Sequence, residues 1–434
     1  MSTPTPTAAR PTRAYVLHPA LREGPQARAE GAAARSPGHR LEEAVALARA
    51  LPRLSVEGSE IVRLARPHPG HLFGTGKLDE LKTRLSEAEI DLVLVDGPVT
   101  PVQQRNLERA WGVKLLDRTG LILEIFADRA RTREGVLQVE LAALSYQRTR
   151  LVRAWTHLER QRGGLGFVGG PGETQIEADR RAIDEQMVRL RRQLARVVRT
   201  RELHRAARAR VPFPVVALVG YTNAGKSTLF NRVTGAEVMA KDMLFATLDP
   251  TMRALALPGG GRVILSDTVG FISDLPTELV AAFRATLEEV LEADLIVHVR
   301  DIAHPETDAQ AADVEAVLEA LGVDAAVPRL EVWNKIDALD PEMRAGLAAQ
   351  AARRDEVFAL SALTGEGLAP LMAAIEAATG ADRHPARLTL PFEAGDRRAA
   401  LHRMGVVRHE REAEDGWEID VMWSEAEKGR FSGA

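Results

Sequence analysis

Residues 220–227 read GYTNAGKS, and no other stretch restricts the fold as much. The spacing G-x-x-x-x-G-K-S marks a phosphate-binding loop only where a strand runs in and a helix runs out. Both flanks comply. VVALV (215–219) is an apolar run of strand length, and TLFNRV (228–233) opens a helical pattern. Glycines let the backbone wrap an anion, so that N–H groups and a helix N-terminus face it. Gly220 and Gly225 stand at the two glycine places, with Tyr221, Thr222, Asn223 and Ala224 between them. Lys226 would reach the β- and γ-phosphates, the Ser227 hydroxyl would ligate Mg2+, and Thr228 follows at the helix start.

Downstream motifs supply the rest of a nucleotide site in chain order. VILSDTVG ends a strand on Asp267, whose carboxylate can hold the Mg2+ shell; Thr268 and Val269 lead to Gly270, whose N–H can meet the γ-phosphate. FATLD (Phe245, Ala246, Thr247, Leu248, Asp249) offers Thr247 as a second hydroxyl for the metal. NKID follows the strand RLEVW. In it Asn334 and Lys335 brace the loop, Ile336 follows, and Asp337 can accept both N–H groups of guanine's Watson–Crick edge. Adenine cannot supply that pair, and an unpaired desolvated carboxylate is costly enough to discriminate strongly. Ser361 and Ala362, with Leu363 next, end a further strand and match a backbone contact to the guanine oxygen. Together these predict a GTP-binding domain with Lys226, Thr247 and Gly270 as catalytic groups and Ser227, Thr247 and Asp267 around the metal. The residue after Gly270 is Phe271, where many GTPases carry a water-orienting glutamine, so slow intrinsic hydrolysis is expected. Asn223 raises the expectation of a K+ ion beside the phosphates.

A second glycine signature, GLGFVG (164–169 in GGLGFVGGPGE), matches G-x-G-x-x-G. A dinucleotide loop must follow a strand and lie in a βαβ unit. This one follows the helical run LVRAWTHLERQR, so that reading fails. Leu137, Leu141, Leu144, Leu151, Trp155 and Leu158 before the loop, with Arg148 filling the one gap, and Met187, Leu190, Leu194 and Val197 after it, share a three-and-four spacing. The pattern predicts an antiparallel coiled-coil hairpin over 131–210 with the glycines at its tip. Residues 147–210 hold 16 Arg against 7 acidic side chains, a local net of +9 in a chain whose total is −4. Arg162, Gly163, Gly164, Gly166, Phe167, Gly169 and Gly170 are therefore candidate RNA contacts: glycine permits close approach, Phe167 can stack on a base, and arginines bridge phosphates.

The fold class expected is α/β. Residues 1–13 read as a disordered tail and 14–130 as an α/β domain in which DLVLVDG (91–97) and VKLLDRT are strands around the helix TPVQQRNLERAWG. VPFP (211–214) breaks the helical hairpin, 215–380 form a doubly wound GTPase domain, and 385–434 a small α+β segment. With no cysteine, thiolate chemistry and disulfides are excluded. No apolar run approaches the roughly 20 residues of a membrane span. A cytoplasmic monomer that binds RNA and no DNA is the expectation.

The blocks FGTGKLDEL (73–81), DRTGLILEIFADRARTREGVLQVELAAL (117–144) and GGPGETQIEADRR (169–181), followed by GYTNAGKS, closely resemble the HflX family of translational GTPases over about residues 14–380. The resemblance implies a GTPase that binds the large ribosomal subunit and its RNA, with a role in ribosome splitting or rescue under stress. It further implies that the glycine tip points toward the peptidyl-transfer region. The alternative is a GTP-dependent RNA-binding switch in RNA or ribosome maturation. FGTGK lacks the full phosphate-loop pattern, so it gives no support to a second nucleotide in the first domain.

Overall fold

In the computed structural model the described residues are 10–21, 35–161, 171–208, 213–236, 244, 245, 248, 251–274, 287–380, 384–413, 415–423 and 425–432. Expectations that fall on 1–9 and on the hairpin tip, 162–170, lie outside them, among them Arg162, Gly163, Gly164, Gly166, Phe167, Gly169 and Gly170. The chain divides into two compact units. The first comprises the described residues of Met1–Val197, Lys241–Asp249 and Ile272–Arg284, and the second those of Val198–Ala240, Pro250–Phe271 and Ala285–Ala434.

The first unit opens with β1 (Thr12–Leu21), α1 (Pro37–Arg49), β2 (Leu54–Leu64), α2 (Thr75–Glu87), β3 (Leu92–Val95), α3 (Pro101–Trp111), β4 (Lys114–Asp117) and α4 (Arg118–Arg129). The sheet order is β2-β1-β3-β4 and every pairing is parallel. Local chemistry explains the boundaries. Thr100 and Gln103 form a reciprocal capping box at the start of α3, Pro101 follows, and Gly112 closes the helix at φ 74°. Leu17, Phe73, Leu81, Val93 and Leu107 are fully buried between sheet and helices, each contributing roughly 2 kcal/mol by leaving water. Trp111 fills the same core and donates its indole N–H to the Leu78 carbonyl at 3.2 Å.

Two long helices come next, α5 (Arg133–Gln161) and α6 (Pro171–Arg208). Leu137, Val139 and Ala142 on one, and Met187 and Leu190 on the other, are buried, and Arg148 pairs with Asp184 across them at 2.6 Å. The stem of α5 is fixed to the sheet. Asp117, at the end of β4, accepts from the Tyr146 hydroxyl and from Arg150 (2.9 Å), and Arg150 also donates to the Val99 carbonyl at 3.1 Å. The G-x-G-x-x-G stretch is flanked by these two helices, which is not the setting of a dinucleotide loop.

The second unit is built on β5 (Val215–Val219), α7 (Lys226–Thr234), β6 (Thr251–Ala256), β7 (Arg262–Asp267), α8 (Glu288–Leu291), β8 (Leu295–Asp301), α9 (Thr307–Leu321), β9 (Arg329–Asn334), a 3-10 turn (Ile336–Ala338), α10 (Pro341–Ala351), β10 (Val357–Ala359) and α11 (Leu368–Gly380). Its sheet order is β10-β9-β8-β5-β7-β6, parallel except for the β6 edge. Val216, Ala217 and Val219 are 0% exposed, as a central parallel strand covered on both faces must be. After β5 the chain goes to the edge strand β6, comes back inward as β7 beside β5, and then crosses to the other side of β5 as β8. That reversal opens a crevice at the carboxyl ends of β5 and β8, where doubly wound sheets hold ligands. The unit ends in β11 (His384–Leu390), α12 (Gly395–Met404), β12 (Val407–Ala413), β13 (Gly416–Trp423) and α13 (Glu425–Ser432), with an antiparallel sheet in the order β11-β13-β12. Leu401, Ile419, Val421, Trp423 and Phe431 form its separate small core.

Candidate nucleotide site at the carboxyl edge of the six-stranded sheet

The loop between β5 and α7 has the backbone that its glycines were expected to allow. Gly220 has φ 151°, and a Cβ there would lie 2.1 Å from the Val299 carbonyl oxygen. Gly225 has φ 95°, and a Cβ would meet the Asn334 side-chain nitrogen at 2.2 Å. Asn223, the exposed crown of the loop, takes φ 61°, a left-handed conformation that asparagine tolerates. Ala224 is buried, and Thr228 lies half-buried in the first turn of α7.

Lys226 is 6% exposed and donates to the carbonyls of Gly220 (3.0 Å) and Tyr221 (2.9 Å). Burial pulls its ammonium down to about 8, with Asp267 acting in the opposite sense. A buried cation curled over its own loop is poised to meet an incoming anion, which would restore the charge that burial disfavours. The Ser227 hydroxyl donates to Asp267 at 2.7 Å, so the strand end and the loop place a hydroxyl and a carboxylate side by side. Thr268 donates its hydroxyl to the Leu218 carbonyl at 2.6 Å, which ties the D-T-V-G segment to β5.

Gly270 packs directly on the loop: a Cβ there would lie 2.8 Å from Thr222 Cγ2 and 3.0 Å from Lys226 Nζ. Val269 is buried, and Phe271 is 1% exposed. Its N–H donates to the Gly220 carbonyl (3.1 Å), and its carbonyl accepts from Thr222 N–H (2.7 Å), which zips this segment to the phosphate loop. Thr222 Oγ1 is buried and has no hydrogen-bond partner among the described residues.

Asn334 is 2% exposed and spans two loops, donating to the Ala224 carbonyl (2.8 Å) and accepting from Ala362 N–H (2.9 Å). Lys335, at φ 66°, pairs with Asp301 at 2.7 Å. Ile336 is buried, and Asp337 is exposed on the 3-10 turn, open to a base edge. Ser361 is fully buried and accepts from Thr364 N–H (3.1 Å), whereas Leu363 is 67% exposed. No motif pointed to Arg232. From α7 it donates to the Ala362 carbonyl at 3.2 Å and to that of Leu363, fixing this loop to the helix behind the phosphate loop.

The carboxyl edge thus gathers Gly220 to Thr228, Asp267 to Gly270, Asn334 to Asp337 and Ser361 to Leu363. Of the FATLD stretch, Ala246, Thr247 and Asp249 lie outside the described residues. Phe245 and Leu248 are each 3% exposed and belong to the first unit, where the Phe245 ring meets Phe126 edge-on at 4.6 Å between centroids.

Comparison with known proteins gives these residues a family. Family models described as GTP-binding GTPase N-terminal, GTP-binding GTPase Middle Region and 50S ribosome-binding GTPase match residues 38–127, 129–208 and 215–335. GTPase HflX of Magnetococcus marinus is 51% identical over 380 residues, covering 88% of this chain and 87% of that protein. The chain belongs to the HflX GTPase family. GTPase HflX of Escherichia coli is 44% identical over 363 residues, covering 83% and 84% of the two chains. A solved structure, the crystal structure of SsGBP and GDP complex, matches at 24% identity and a TM-score of 0.49, covering 85% and 98%. As an HflX-family member the chain binds GTP and hydrolyses it. Among the described residues no helix is long and apolar enough to cross a membrane.

Proposed function

We propose that this chain is a GTPase that works on the large ribosomal subunit, holding guanine through Asp337 and reading ribosomal RNA with the tip of the α5–α6 hairpin. The observation that carries the ribosomal part is the coexistence of two features. The 215–335 region matches a family described as 50S ribosome-binding GTPase, and a basic helical hairpin immediately precedes it. A tip of Gly163, Gly164, Gly166, Gly169 and Gly170 with Arg162 and Phe167 suits a phosphate-lined groove. Splitting or rescue of ribosomes under stress is the process this reading fits.

In this reading the loop N–H groups from Asn223 to Thr228 and the Lys226 ammonium hold the β- and γ-phosphates. Ser227 and Asp267 suit Mg2+, because a hydroxyl and a carboxylate 2.7 Å apart are hard oxygen donors. No cluster of three or more His, Cys, Asp or Glu competes for a metal among the described residues, so phosphate oxygens and water would complete the shell. Bound Mg2+ supplies charge neutralisation across the phosphates. Thr247 adds a second hydroxyl, and Gly270 offers its N–H to the γ-phosphate. The backbone at Ala362, held by Asn334 and Arg232, meets the guanine oxygen. Asn223, exposed at the crown of the loop, would support a K+ ion beside the phosphates.

The test is co-sedimentation with purified large subunits in a non-hydrolysable GTP analogue, using wild type and a chain in which Gly163–Gly172 is replaced by a short polar linker. Wild type should pellet, and the linker variant should remain in the supernatant with its GTP affinity intact. Equal pelleting of both would overturn the hairpin reading, and absence of wild-type binding would overturn the ribosomal one.

A further inference from the structure

Arg118, the first residue of α4, is 8% exposed, yet its partners include a residue 155 positions away. Its guanidinium pairs with Asp96 at the end of β3 and with Glu43 of α1. The same nitrogen that meets Glu43 also donates to the Ser273 carbonyl (3.0 Å) and hydroxyl (3.1 Å). Ser273 in turn donates to Glu43 at 3.0 Å, and the next residue, Asp274, is met by Arg40 of α1 at 3.2 Å. Asp96 is held from its other side by His18 of β1 at 2.8 Å. All of these residues lie in the first unit.

The place of Ser273 in the chain gives the contact its meaning. It stands three residues after Gly270 and two after Phe271, whose backbone is hydrogen-bonded to Gly220 and Thr222. The segment D-T-V-G-F-I-S is therefore anchored at both ends. Thr268 and Phe271 fix it to the strand and the phosphate loop, and Arg118 holds its far end through one buried guanidinium nitrogen shared between the carbonyl and the hydroxyl of Ser273. Helix α4 also meets the FATLD stretch, since Phe126 packs on Phe245. A single surface arginine would carry little weight, but a buried one whose two carboxylate partners are also satisfied sets a geometry and resists alternatives. The carboxyl edge of the four-stranded parallel sheet is where an α/β domain of this order holds a ligand. Here a serine from the stretch after D-T-V-G occupies the cluster at that edge.

We infer that Arg118 is a positioning residue for GTP hydrolysis: by holding Ser273 it pre-orders the segment that carries Gly270 and Phe271, so that the γ-phosphate meets a fixed backbone. The inference rests on the role proposed for the D-T-V-G segment in hydrolysis. Ordering paid for in advance lowers the barrier to the reaction and leaves ground-state binding of GDP, which lacks the γ-phosphate, nearly untouched. The expected signature is a loss in kcat with little change in GDP affinity.

Arg118→Lys and Ser273→Ala, each in the full chain, test this. Lysine keeps a charge opposite Asp96 and Glu43 but cannot reproduce the planar fork. Its kcat should fall about tenfold, and that of Ser273→Ala, which keeps the carbonyl contact, about threefold. The dissociation constant for a fluorescent GDP should stay within about twofold, and thermal melts report the folded fraction. Should Arg118→Lys fold poorly, Ser273→Ala alone decides, since alanine there leaves no charge unpaired. Unchanged kcat in the folded variants, or a fall matched by lost GDP affinity, would overturn the inference. Gly270→Ala separates it from the reading beneath it. If that chain hydrolyses GTP normally, the D-T-V-G role is wrong. If it is inactive while Ser273→Ala and folded Arg118→Lys are normal, only the positioning role is wrong.

Discussion

Asn334 donates to the carbonyl of Ala224 at 2.8 Å, so the residue that opens N-K-I-D is hydrogen-bonded to the crown of the phosphate loop. Its other side-chain atom holds Ala362. One buried amide therefore joins its own loop to two others, the nearer of them 28 residues away and the farther 110. Asn334→Ala should strand a buried carbonyl and a buried N–H, costing about 3 kcal/mol of stability. GDP affinity should fall with it, and urea unfolding alongside nucleotide titration checks both. Gly225→Ala probes the same junction from the opposite side, because its methyl would occupy the place of the Asn334 amide. We expect it to abolish nucleotide binding.

Asp337 stands exposed on its turn, so Asp337→Asn should cost little stability, within about 0.5 kcal/mol. Its effect should lie in base choice, with GTP affinity falling and xanthosine triphosphate gaining, since an amide complements xanthine's extra carbonyl. Competition binding with the two nucleotides reads the outcome. Full retention of GTP affinity would remove Asp337 from the site.

Phe271 is buried and its backbone is committed to the phosphate loop, so its ring cannot orient an attacking water. Intrinsic turnover should be slow, and large subunits should raise it. K+ should stimulate over Na+ in wild type and not in Asn223→Ala. Steady-state phosphate release, measured alone, in each salt and with subunits added, separates these effects. Equal rates in the two salts would dismiss the cation without touching the ribosomal effect.

The Asp96 carboxyl predicts an acid limb of stability. Burial pushes it up, but the His18 hydrogen bond and the Arg118 charge outweigh burial and leave it below the usual carboxylate range. Glu43 faces the same guanidinium from α1. A carboxyl lowered on folding stabilises above its unfolded value, about 3.9, and that stability is lost as pH falls through the folded value. Unfolding free energy should therefore drop below about pH 4, and Asp96→Asn should be less stable at pH 7 with a flatter acid limb. Urea melts from neutral to strongly acidic pH would show it.

Local chemistry is legible in the sequence wherever a few adjacent residues decide it. The Thr100, Pro101 and Gly112 signals delimit α3 as written, and the run VVALV is the buried central strand. The phosphate loop can be read because its glycines, lysine and serine answer to one backbone shape. Arg232 and Arg118 cannot be read. Their partners lie 130 and 155 residues away, and most of the 57 basic residues are arginine, so neither stands out. Local density draws attention to the arginines of 147–210, whereas Arg118, with its partly buried carboxylate partners, sits alone before a run of apolar residues. The FATLD stretch shows the same limit. A phenylalanine beside a candidate switch threonine gives no sign that it will pack against Phe126.

Helix α4 acts as a ruler. Arg118 at its first position meets Ser273, Phe126 two turns further along meets Phe245, and Asp117 just before it holds the hairpin stem. Each residue added to a helix rotates the remainder by about 100°. One insertion between Arg118 and Phe126 would turn one of these contacts into solvent while the other stayed in place. Glu124, Ala127 and Asp128 face outward and are free to drift in identity. The spacing between Arg118 and Phe126, by contrast, has no freedom: here the exposed letters of the helix can change but their number cannot.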